Sequence, residues 1–284
     1  EWIESKSDKT FFDTDPGTGD VIAEVPIATE DEVDMAIDAA FNAFKKWREV
    51  PFRDRADYIN RLRAAFDKNH EYLARILSQD HGRTIRDSRG TIDRCIENIE
   101  SASGAMYSFY KGEYVEQLAQ GIDCYMLWEP VGVFLIITPG NIPMHAWSSF
   151  VPYALACGCT VIVSPSWQCP VASEALFRVS EEVGFPPGVL NLIHIGLEFE
   201  LNRKIISDPR VQGLGFIGST AVGKQLFELY GKLGKRSSIN GNGKNFIVVA
   251  PDADLESGVN YLLRGCFGMS GQRCLGSDNV VVIG

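Results

Sequence analysis

The chain has 284 residues, of which 45% are hydrophobic, and a formal net charge of -10 at pH 7. A chain of this length and composition can bury a sizeable core in one large or two smaller domains, which excludes a disordered protein. The acidic charge is spread along the sequence and excludes nucleic acid or an anionic membrane as an expected partner, and no apolar run approaches the length of a bilayer span, so we expect a soluble protein.

The numbers and spacing of the cysteines and histidines indicate which cellular compartment and which metal sites to expect. The seven cysteines are an odd number, without disulfide-framework or C-x-x-C spacing, which favours a reducing intracellular compartment such as the cytoplasm or the mitochondrial matrix. The four histidines show no metal-ligand spacing, and we expect no metal site. No signal peptide pattern is present, and Glu1 in place of Met is compatible with an N-terminal piece that was removed or left out.

The first 110 residues predict a short extended pair followed by helices. Thr29 and Glu32 form a capping-box pattern, after which apolar residues recur at helical spacing as far as Trp47. The other predicted elements are the extended segments 10–14 and 21–25 around a turn at 15–20, one helix with apolar residues from Tyr58 to Ile76, and one with apolar residues from Ile92 to Phe109, including Met106.

From residue 124 the pattern changes to apolar strand, turn and helix in repetition. Short β-rich runs without polar alternation indicate strands that are covered on both faces, and the helices between them indicate parallel crossovers. We predict an α/β fold with a doubly wound, mostly parallel sheet whose ligands bind beyond the carboxyl ends of its strands. The predicted strands are 133–138, 160–164, 189–193, 213–217 and 246–250, and the helices lie around 148–156, 172–183 and 222–230.

A glycine-bracketed cysteine lies between an amphipathic helix and a predicted strand at 279–283. Residues 268–274 read GMSGQRC, which places Cys274 in a loop that a substrate can approach, as a nucleophile requires. The alternative is that Cys274 is a small buried hydrophobe, as most free cysteines are.

Two loops that follow predicted strands carry further candidate residues. In the first, at 138–144, Asn141 supplies a carboxamide that could hold an oxyanion, and an Asx turn is the alternative. In the second, at 216–225, glycines open a helix and expose amides to a phosphate. A Walker P-loop is unlikely because Gln225 occupies the position of the hydroxyl that binds the metal ion.

Together these motifs resemble the aldehyde dehydrogenase superfamily, from about Phe11 to the last residue. The motifs occur in that family's order: TPGNIP at 138–143, GST at 218–220, the segment 240–245, and GQRC at 271–274, with DPGTGD at 15–20 and HGRT at 81–84 in support. Within the superfamily the chain looks most similar to the methylmalonate-semialdehyde dehydrogenases, which acylate coenzyme A, on the segments KGE at 111–113, GID at 121–123 and GKN at 243–245.

The resemblance implies an NAD-dependent oxidation of a small semialdehyde through a cysteine thioester. Cys274 is then the nucleophile, and Asn141 with the backbone amide of Cys274 holds the oxyanion. Asn240 stands where hydrolysing members have a glutamate, and an amide cannot activate water, so coenzyme A is the expected acyl acceptor. The implied cofactor-binding residues are Thr138, Pro139, Ser164, Gly218, Ser219 and Gly223.

Two arginines are candidates for binding the distal carboxylate of the substrate. Arg273 directly precedes the nucleophile, and its guanidinium suits a carboxylate, although an ordinary surface ion pair is about as good an explanation. For Arg94, on the third predicted helix, the surface pair is the better explanation. An arginine beside a thiol also favours the thiolate.

The chain departs from the family pattern at several positions. Ser164 replaces a lysine that usually contacts the adenosine ribose, which removes the reach and the charge of that side chain. Gly140 replaces a common aromatic residue, and Asn242 replaces a common glycine.

The predicted domain division follows the same resemblance. Residues 1–110 and 131–252 form a Rossmann-like dinucleotide-binding domain, 111–130 a bridging or oligomerisation hairpin, and 253–284 the start of an α/β catalytic domain whose remainder is absent. We expect a homo-oligomer, and a last strand without local partners, which a further segment or another chain covers. The alternative function is an aldehyde-dehydrogenase-like scaffold subunit that has lost turnover.

Overall fold

The computed structural model describes residues 2–284, without the side chains of Met106 and Phe109. Glu1 and the core positions predicted at 106 and 109 therefore lie outside the described residues. The strands are β1 (Thr10–Thr14), β2 (Val21–Pro26), β3 (Glu113–Ala119), β4 (Ile122–Met126), β5 (Val133–Thr138), β6 (Thr160–Pro165), β7 (Leu190–Leu192), β8 (Val211–Ile217), β9 (Arg236–Asn240), β10 (Asn245–Val249) and β11 (Ser277–Val282). The α-helices are α1 (Glu30–Trp47), α2 (Phe52–Lys68), α3 (His70–His81), α4 (Ile85–Phe109), α5 (Pro143–Ala156), α6 (Pro170–Glu181), α7 (Phe199–Ser207), α8 (Thr220–Lys232) and α9 (Leu255–Phe267).

A five-stranded sheet forms the centre of the molecule. Its strand order is β7-β6-β5-β8-β9, and each neighbouring pair is parallel. The chain runs outward from β5 through β6 to β7 and then returns to the other side of β5 for β8, so the strand order reverses between β5 and β8. The predicted doubly wound α/β fold is confirmed, and the reversal places the ligand crevice beyond the ends of these two strands.

Both faces of the sheet are buried under helices. Leu135 packs in a core with residues of α1, α7 and α8, whereas the next residue, Ile136, packs in a second core with residues of α2 to α6. Ile162 and Val163 divide between the two cores in the same way. This arrangement explains why the strands read as continuous apolar runs.

The helical predictions are confirmed at α1 and corrected at the following pair. The Glu32 amide donates to Thr29 Oγ1 at 3.2 Å, and the Thr29 amide donates to Glu32 Oε2 at 2.8 Å, which completes the capping box. The single helix predicted from Tyr58 to Ile76 is wrong, because the chain breaks into α2 and α3 at Asn69. The Asn69 side chain donates to the Ala65 carbonyl, which competes with continued helical pairing.

Two predictions about the last strands are also wrong. The strand predicted at 246–250 does not join the central sheet but pairs in parallel with β11, so the last strand does have a local partner. The fifth place in the central sheet belongs to β9, whose sequence RSSIN has no apolar run because its residues alternate between half-buried and exposed. The boundary predicted between residues 252 and 253 stays a prediction, and the strand pairing changes at residues 241–244.

The segment 111–130 contains the antiparallel hairpin of β3 and β4. All residues of both strands are exposed, including the apolar side chains of Val115, Leu118 and Ile122 and the stacked rings of Tyr114 and Tyr125. Its proposed role in oligomerisation stays a prediction. In the described part of the chain, none of the helices combines the length and hydropathy that a bilayer span requires.

Candidate functional site

A cavity of about 780 Å³ lies beyond the carboxyl ends of the central strands. Its walls come from the loops after β5, β6 and β8 and from one face each of α7 and α8. The lining includes five of the six predicted cofactor-binding residues: Thr138, Pro139, Ser164, Gly218 and Ser219. The topology therefore brings together residues that are separated by more than eighty positions in the sequence.

Gly223, the sixth predicted cofactor residue, is buried in α8 and faces the sheet. A Cβ at this position would lie 3.0 Å from the side chain of Ile239 in β9. The missing side chain therefore lets α8 pack closely on the sheet, which is the role of the third glycine in dinucleotide-binding turns.

The first turn of α8 faces the cavity and has two side-chain caps. Ser219 Oγ accepts a hydrogen bond from the Val222 amide at 3.3 Å, as an N-cap serine does. Asn242 Oδ1 accepts from the Thr220 amide at 2.8 Å, and the Asn242 amide donates to Thr220 Oγ1 at 2.9 Å. The unusual asparagine thus clamps the start of α8 to the segment that follows β9.

The unusual Gly140 has a local reason as well. A Cβ on Gly140 would collide with the side chain of Gln168, which lies directly against the loop after β5. A larger residue at position 140 would require this side chain to move.

Cys274 lies in an exposed loop that is held at two points. Met269, at the start of this loop, is buried against Ile142 and Ala146 of the α5 region. The carbonyl of Cys274 accepts a hydrogen bond from Asn245 Nδ2 at 2.8 Å. The thiol is free and exposed, which excludes the alternative that Cys274 is a buried hydrophobe.

The turn before Cys274 has an uncommon backbone conformation. Met269 and Ser270 have φ values of 55° and 56°, in the left-handed region that few residues other than glycine adopt. Consecutive residues in this region cost conformational free energy, and such strain is typical of functional loops. The buried Met269 side chain supplies the packing that holds the turn in place.

Asn141 and the Cys274 loop are in direct contact. Asn141 Nδ2 donates to the carbonyl of Gln272 at 3.0 Å, two residues before the thiol. The backbone carbonyl of Asn141 accepts from Arg83 Nη2 at 2.7 Å. The carboxamide is therefore aimed at the loop that carries the thiol, and the second N–H of its nitrogen can still donate to an oxyanion.

Both candidate substrate arginines have carboxylate partners. Arg273 Nη2 lies 3.1 Å from Asp87 Oδ1, in a pair that is partly buried. Arg94 pairs with Glu97 on the exposed face of its own helix. Arg273 thus lies beside the nucleophile loop, whereas the hydrogen bond of Arg94 joins it to α4 and not to that loop.

Sequence reasoning missed Arg83, which entered only through the segment 81–84. The side chain is buried, and its Nη1 donates to Thr91 Oγ1 at 2.9 Å in addition to the contact with Asn141. Burial lowers the pKa of the guanidinium to about 10, so that it stays charged at neutral pH. Only the tertiary structure shows that α4 and the Asn141 loop are joined through this residue.

A second set of buried groups lines a smaller cavity of about 350 Å³. Asp13 of β1 and Asp80 of α3 lie together there, and the Ala172 amide at the start of α6 donates to Asp80. Burial raises the pKa of Asp80 to about 8, and it also raises the pKa of Asp13. No sequence pattern connects these two aspartates.

The three buried cysteines contrast with Cys274, whereas Cys124 and Cys157 are exposed as it is. Burial raises the pKa of the Cys95 thiol to about 12 and also raises those of Cys159 and Cys169. These thiols are poor nucleophiles because the thiolate is the reactive form.

Comparisons with known proteins agree with the fold. Residues 2–283 match the profile of the aldehyde dehydrogenase family. A malonate-semialdehyde dehydrogenase of Geobacillus kaustophilus is 36% identical over 284 residues, which is all of this chain and 58% of that protein. The corresponding enzyme of Oceanobacillus iheyensis is 36% identical over 283 residues, again 58% of its length.

Solved structures give the same result. The methylmalonate-semialdehyde dehydrogenase of Oceanimonas doudoroffii has a TM-score of 0.95 and 31% identity, and the match covers 100% of this chain and 57% of that one. A structure from Sinorhizobium meliloti 1021, complexed with NAD and named among the methylmalonate-semialdehyde dehydrogenases, has a TM-score of 0.94, 30% identity and the same coverage. The chain thus spans a little over half the length of the relatives that it matches.

Proposed function

Because the chain belongs to the aldehyde dehydrogenase family, we propose that it carries the NAD site and the nucleophile of an enzyme that oxidises a small semialdehyde. The observation that carries this proposal is the hydrogen bond from Asn141 Nδ2 to the exposed loop that bears Cys274. The adjoining cavity has room for a dinucleotide, and the buried hydroxyl of Ser164 on its wall has no protein partner. These features fit NAD, which accepts a hydride when it is bound.

The chemistry that we assign to the protein begins at the thiol. The Cys274 thiolate adds to the aldehyde carbon, and the carbonyl oxygen becomes an oxyanion. Asn141 Nδ2 and the backbone amide of Cys274 stabilise this charge, because each donor comes from one of the two loops that meet here. Loss of hydride from the former aldehyde carbon leaves a thioester on Cys274.

We assign the release of the acyl group to coenzyme A. Asn240 is exposed at the end of β9, and its backbone carbonyl accepts from the Gly218 amide. A carboxamide cannot take a proton from water, so Asn240 does not promote hydrolysis. A second thiol can take the acyl group from the Cys274 thioester by direct exchange.

The substrate class follows from Arg273 and from the names of the relatives. Malonate semialdehyde and methylmalonate semialdehyde carry a carboxylate close to the aldehyde. Arg273 adjoins the nucleophile and offers a guanidinium, although Asp87 neutralises part of its charge. Arg94 is the second candidate and must leave Glu97 in order to take part.

The assembly that we propose is a homo-oligomer in an intracellular reducing compartment. The exposed apolar side chains of the β3–β4 hairpin favour burial against another surface. The seven cysteines are free thiols, as in a reducing compartment. A further segment or another chain is expected to cover α9, which has no buried residue.

In the test, the chain and any polypeptide that completes its second domain are incubated with NAD and methylmalonate semialdehyde, in the presence and in the absence of coenzyme A. The absorbance of NADH is followed. NADH formation that requires coenzyme A and disappears in Cys274→Ala supports the proposal, and Cys124→Ala, on the exposed hairpin, is the matched control. Absence of both NADH and calorimetric NAD binding contradicts it and favours a scaffold.

A further inference from the structure

Arg83 lies in the turn between α3 and α4, and hydrogen bonds fix its position from several sides. The residue is only 5% exposed. Ser78 Oγ donates to the Arg83 carbonyl at 2.6 Å, which holds the backbone of the turn. Thr91 Oγ1 accepts from Arg83 Nη1 at 2.9 Å and itself donates to the Asp87 carbonyl, which orients the guanidinium. In this orientation the other terminal nitrogen, Nη2, donates to the backbone carbonyl of Asn141 at 2.7 Å.

The buried charge of Arg83 is costly for the fold. Asp87 pairs with Arg273 instead, and no carboxylate of the described residues lies within ion-pair distance of the Arg83 guanidinium. Its Nε is buried and also has no partner in the described part of the chain. An apolar side chain of similar volume would avoid the loss of solvation, so stability alone does not account for an arginine here. What the charge does provide is a charge-assisted hydrogen bond to the loop of Asn141.

The loop between β5 and α5 is held at two neighbouring carbonyls. Cys169 Sγ, at the start of α6, donates to the Gly140 carbonyl at 3.3 Å, and Arg83 donates to the next carbonyl along the chain. A thiol is a weak donor, whereas a guanidinium forms a strong, charge-assisted bond. Arg83 is therefore the stronger of the two attachments. The Asn141 side chain projects from the backbone at this attachment toward the Gln272 carbonyl, 3.0 Å away.

We propose that Arg83 is a positioning residue for the oxidation, because its guanidinium fixes the backbone of Asn141 so that Nδ2 faces the oxyanion formed at Cys274. This inference rests on the proposed function and deepens it, since it assigns the geometry of the oxyanion donor to a residue outside the two loops that meet at the thiol. An oxyanion donor acts through its placement, and a displacement of about 1 Å can cost roughly a hundredfold in rate. The contact is with a backbone carbonyl, so Arg83 controls the place of the carboxamide and not its chemistry.

The first test measures the single-turnover rate of NADH formation by the chain, together with any polypeptide that completes its second domain. Arg83→Met keeps much of the volume but removes every donor. We expect it to lower the maximal rate at least about tenfold, while the half-saturating aldehyde concentration and the calorimetric affinity for NAD change less than about twofold. Arg83→Lys retains a cationic donor and should restore most of the rate.

Arg55→Met is the matched control for this test. Arg55 is also buried, at 2% exposed, and its Nε donates at 2.8 Å to the carbonyl of Ala156, the last residue of α5. It therefore holds the opposite end of the helix that follows the Asn141 loop. Its replacement should lower the melting temperature, because buried carbonyls lose their donor, without lowering the maximal rate.

A double-mutant cycle decides whether Arg83 acts through Asn141. In an Asn141→Ala background the side-chain donor is gone, so the addition of Arg83→Met should lower the rate less than about twofold further. An undiminished effect of Arg83→Met in that background overturns the inference, because Arg83 then acts by another route.

Amide hydrogen exchange tests the same inference without turnover. In the chain by itself, Arg83→Met should accelerate exchange in the segment 139–147 about tenfold, because the loop and the first turn of α5 lose a charge-assisted hydrogen bond, and Arg55→Met should not. If Arg83→Met does not fold, Arg83→Gln, which keeps a neutral donor, takes its place in each comparison. An active wild type whose rate or exchange is unchanged by the substitution at Arg83 overturns this inference alone, whereas a wild type that forms no NADH contradicts the proposed function itself.

Discussion

Asp80 and Arg83 are only three residues apart in the sequence, and both side chains are buried. Their surroundings favour different charge states. Arg83 keeps its charge because the Asn141 carbonyl and the Thr91 hydroxyl accept from it. Asp80 has the Ala172 amide as a donor, but it also adjoins the carboxyl group of Asp13. Two neighbouring buried carboxyl groups cannot both ionise easily, so one proton stays with the pair at neutral pH.

Asp80→Asn is expected to stabilise the protein increasingly as the pH rises. Because the folded-state pKa of Asp80 is raised to about 8, whereas the unfolded value is near 3.9, the unfolded chain releases this proton first. The wild type therefore loses stability as the pH rises from about 4 to about 8, and the loss is complete above the folded pKa. The neutral asparagine avoids this loss.

Melting curves between pH 5.5 and pH 8 check this prediction. The melting temperature of Asp80→Asn should rise relative to wild type by at least about 3 °C over this interval. Asp57→Asn, which removes an exposed carboxylate from α2, should show no such trend. Parallel curves for Asp80→Asn and wild type would mean that Asp80 is ionised in the folded protein.

At the scale of elements, α1 and α9 start alike but contribute differently to the fold. The α1 helix begins with the capping box of Thr29, and α9 begins with Asp254, whose Oδ2 accepts from the Ser257 amide at 3.0 Å. Val33, Ile37 and Ala40 of α1 are fully buried, whereas no residue of α9 is buried. Helical stability in proteins comes mainly from packing of the apolar face, so only α1 is part of the cooperative core.

Removal of the two caps should therefore have different consequences. Thr29→Ala is expected to cost about 1 kcal/mol and to lower the melting temperature of the chain by about 2–4 °C. Asp254→Ala should leave the melting temperature within about 1 °C but accelerate amide hydrogen exchange in α9. The idea fails if both variants lower the melting temperature equally.

At the scale of the whole molecule, the exposed apolar surface is concentrated outside the central sheet. The β3–β4 hairpin exposes Leu118 at 61% and Tyr125 at 69%, and Trp128 follows at 55%. Contiguous apolar surface of this kind is typical of interfaces between chains. The acidic net charge opposes non-specific association, so a specific assembly through the hairpin is the expectation.

Light scattering of the chain tests this expectation. We expect a mass that is a multiple of the 31.4 kDa chain, and we expect the double variant Leu118→Glu, Tyr125→Glu to reduce it to a single chain. Met35→Glu, which changes an exposed apolar residue of α1, is the control and should leave the mass unchanged. A wild-type mass of one chain would refute the hairpin assembly.

The sequence by itself determined the elements whose signals are local. Strand β5 and the capping box of α1 were predicted at the positions where they occur, because apolar runs and short-range hydrogen bonds leave a direct pattern. The parallel fold followed from the alternation of strand and helix. The loops themselves indicated Cys274 and Asn141 as candidates, and the resemblance to the family supplied their roles; the two loops prove to be in contact.

Only the tertiary structure decided what depends on partners distant in the sequence. The placement of β9 at the edge of the central sheet and of β10 beside β11 follows from long-range pairing, which no local pattern encodes. The buried contact of Arg83 with Asn141 and the pairing of Asp13 with Asp80 join segments 58 and 67 residues apart, as read from the sequence numbering. A buried charge is acceptable only beside particular partners, and chain topology, rather than residue spacing, brings those partners together.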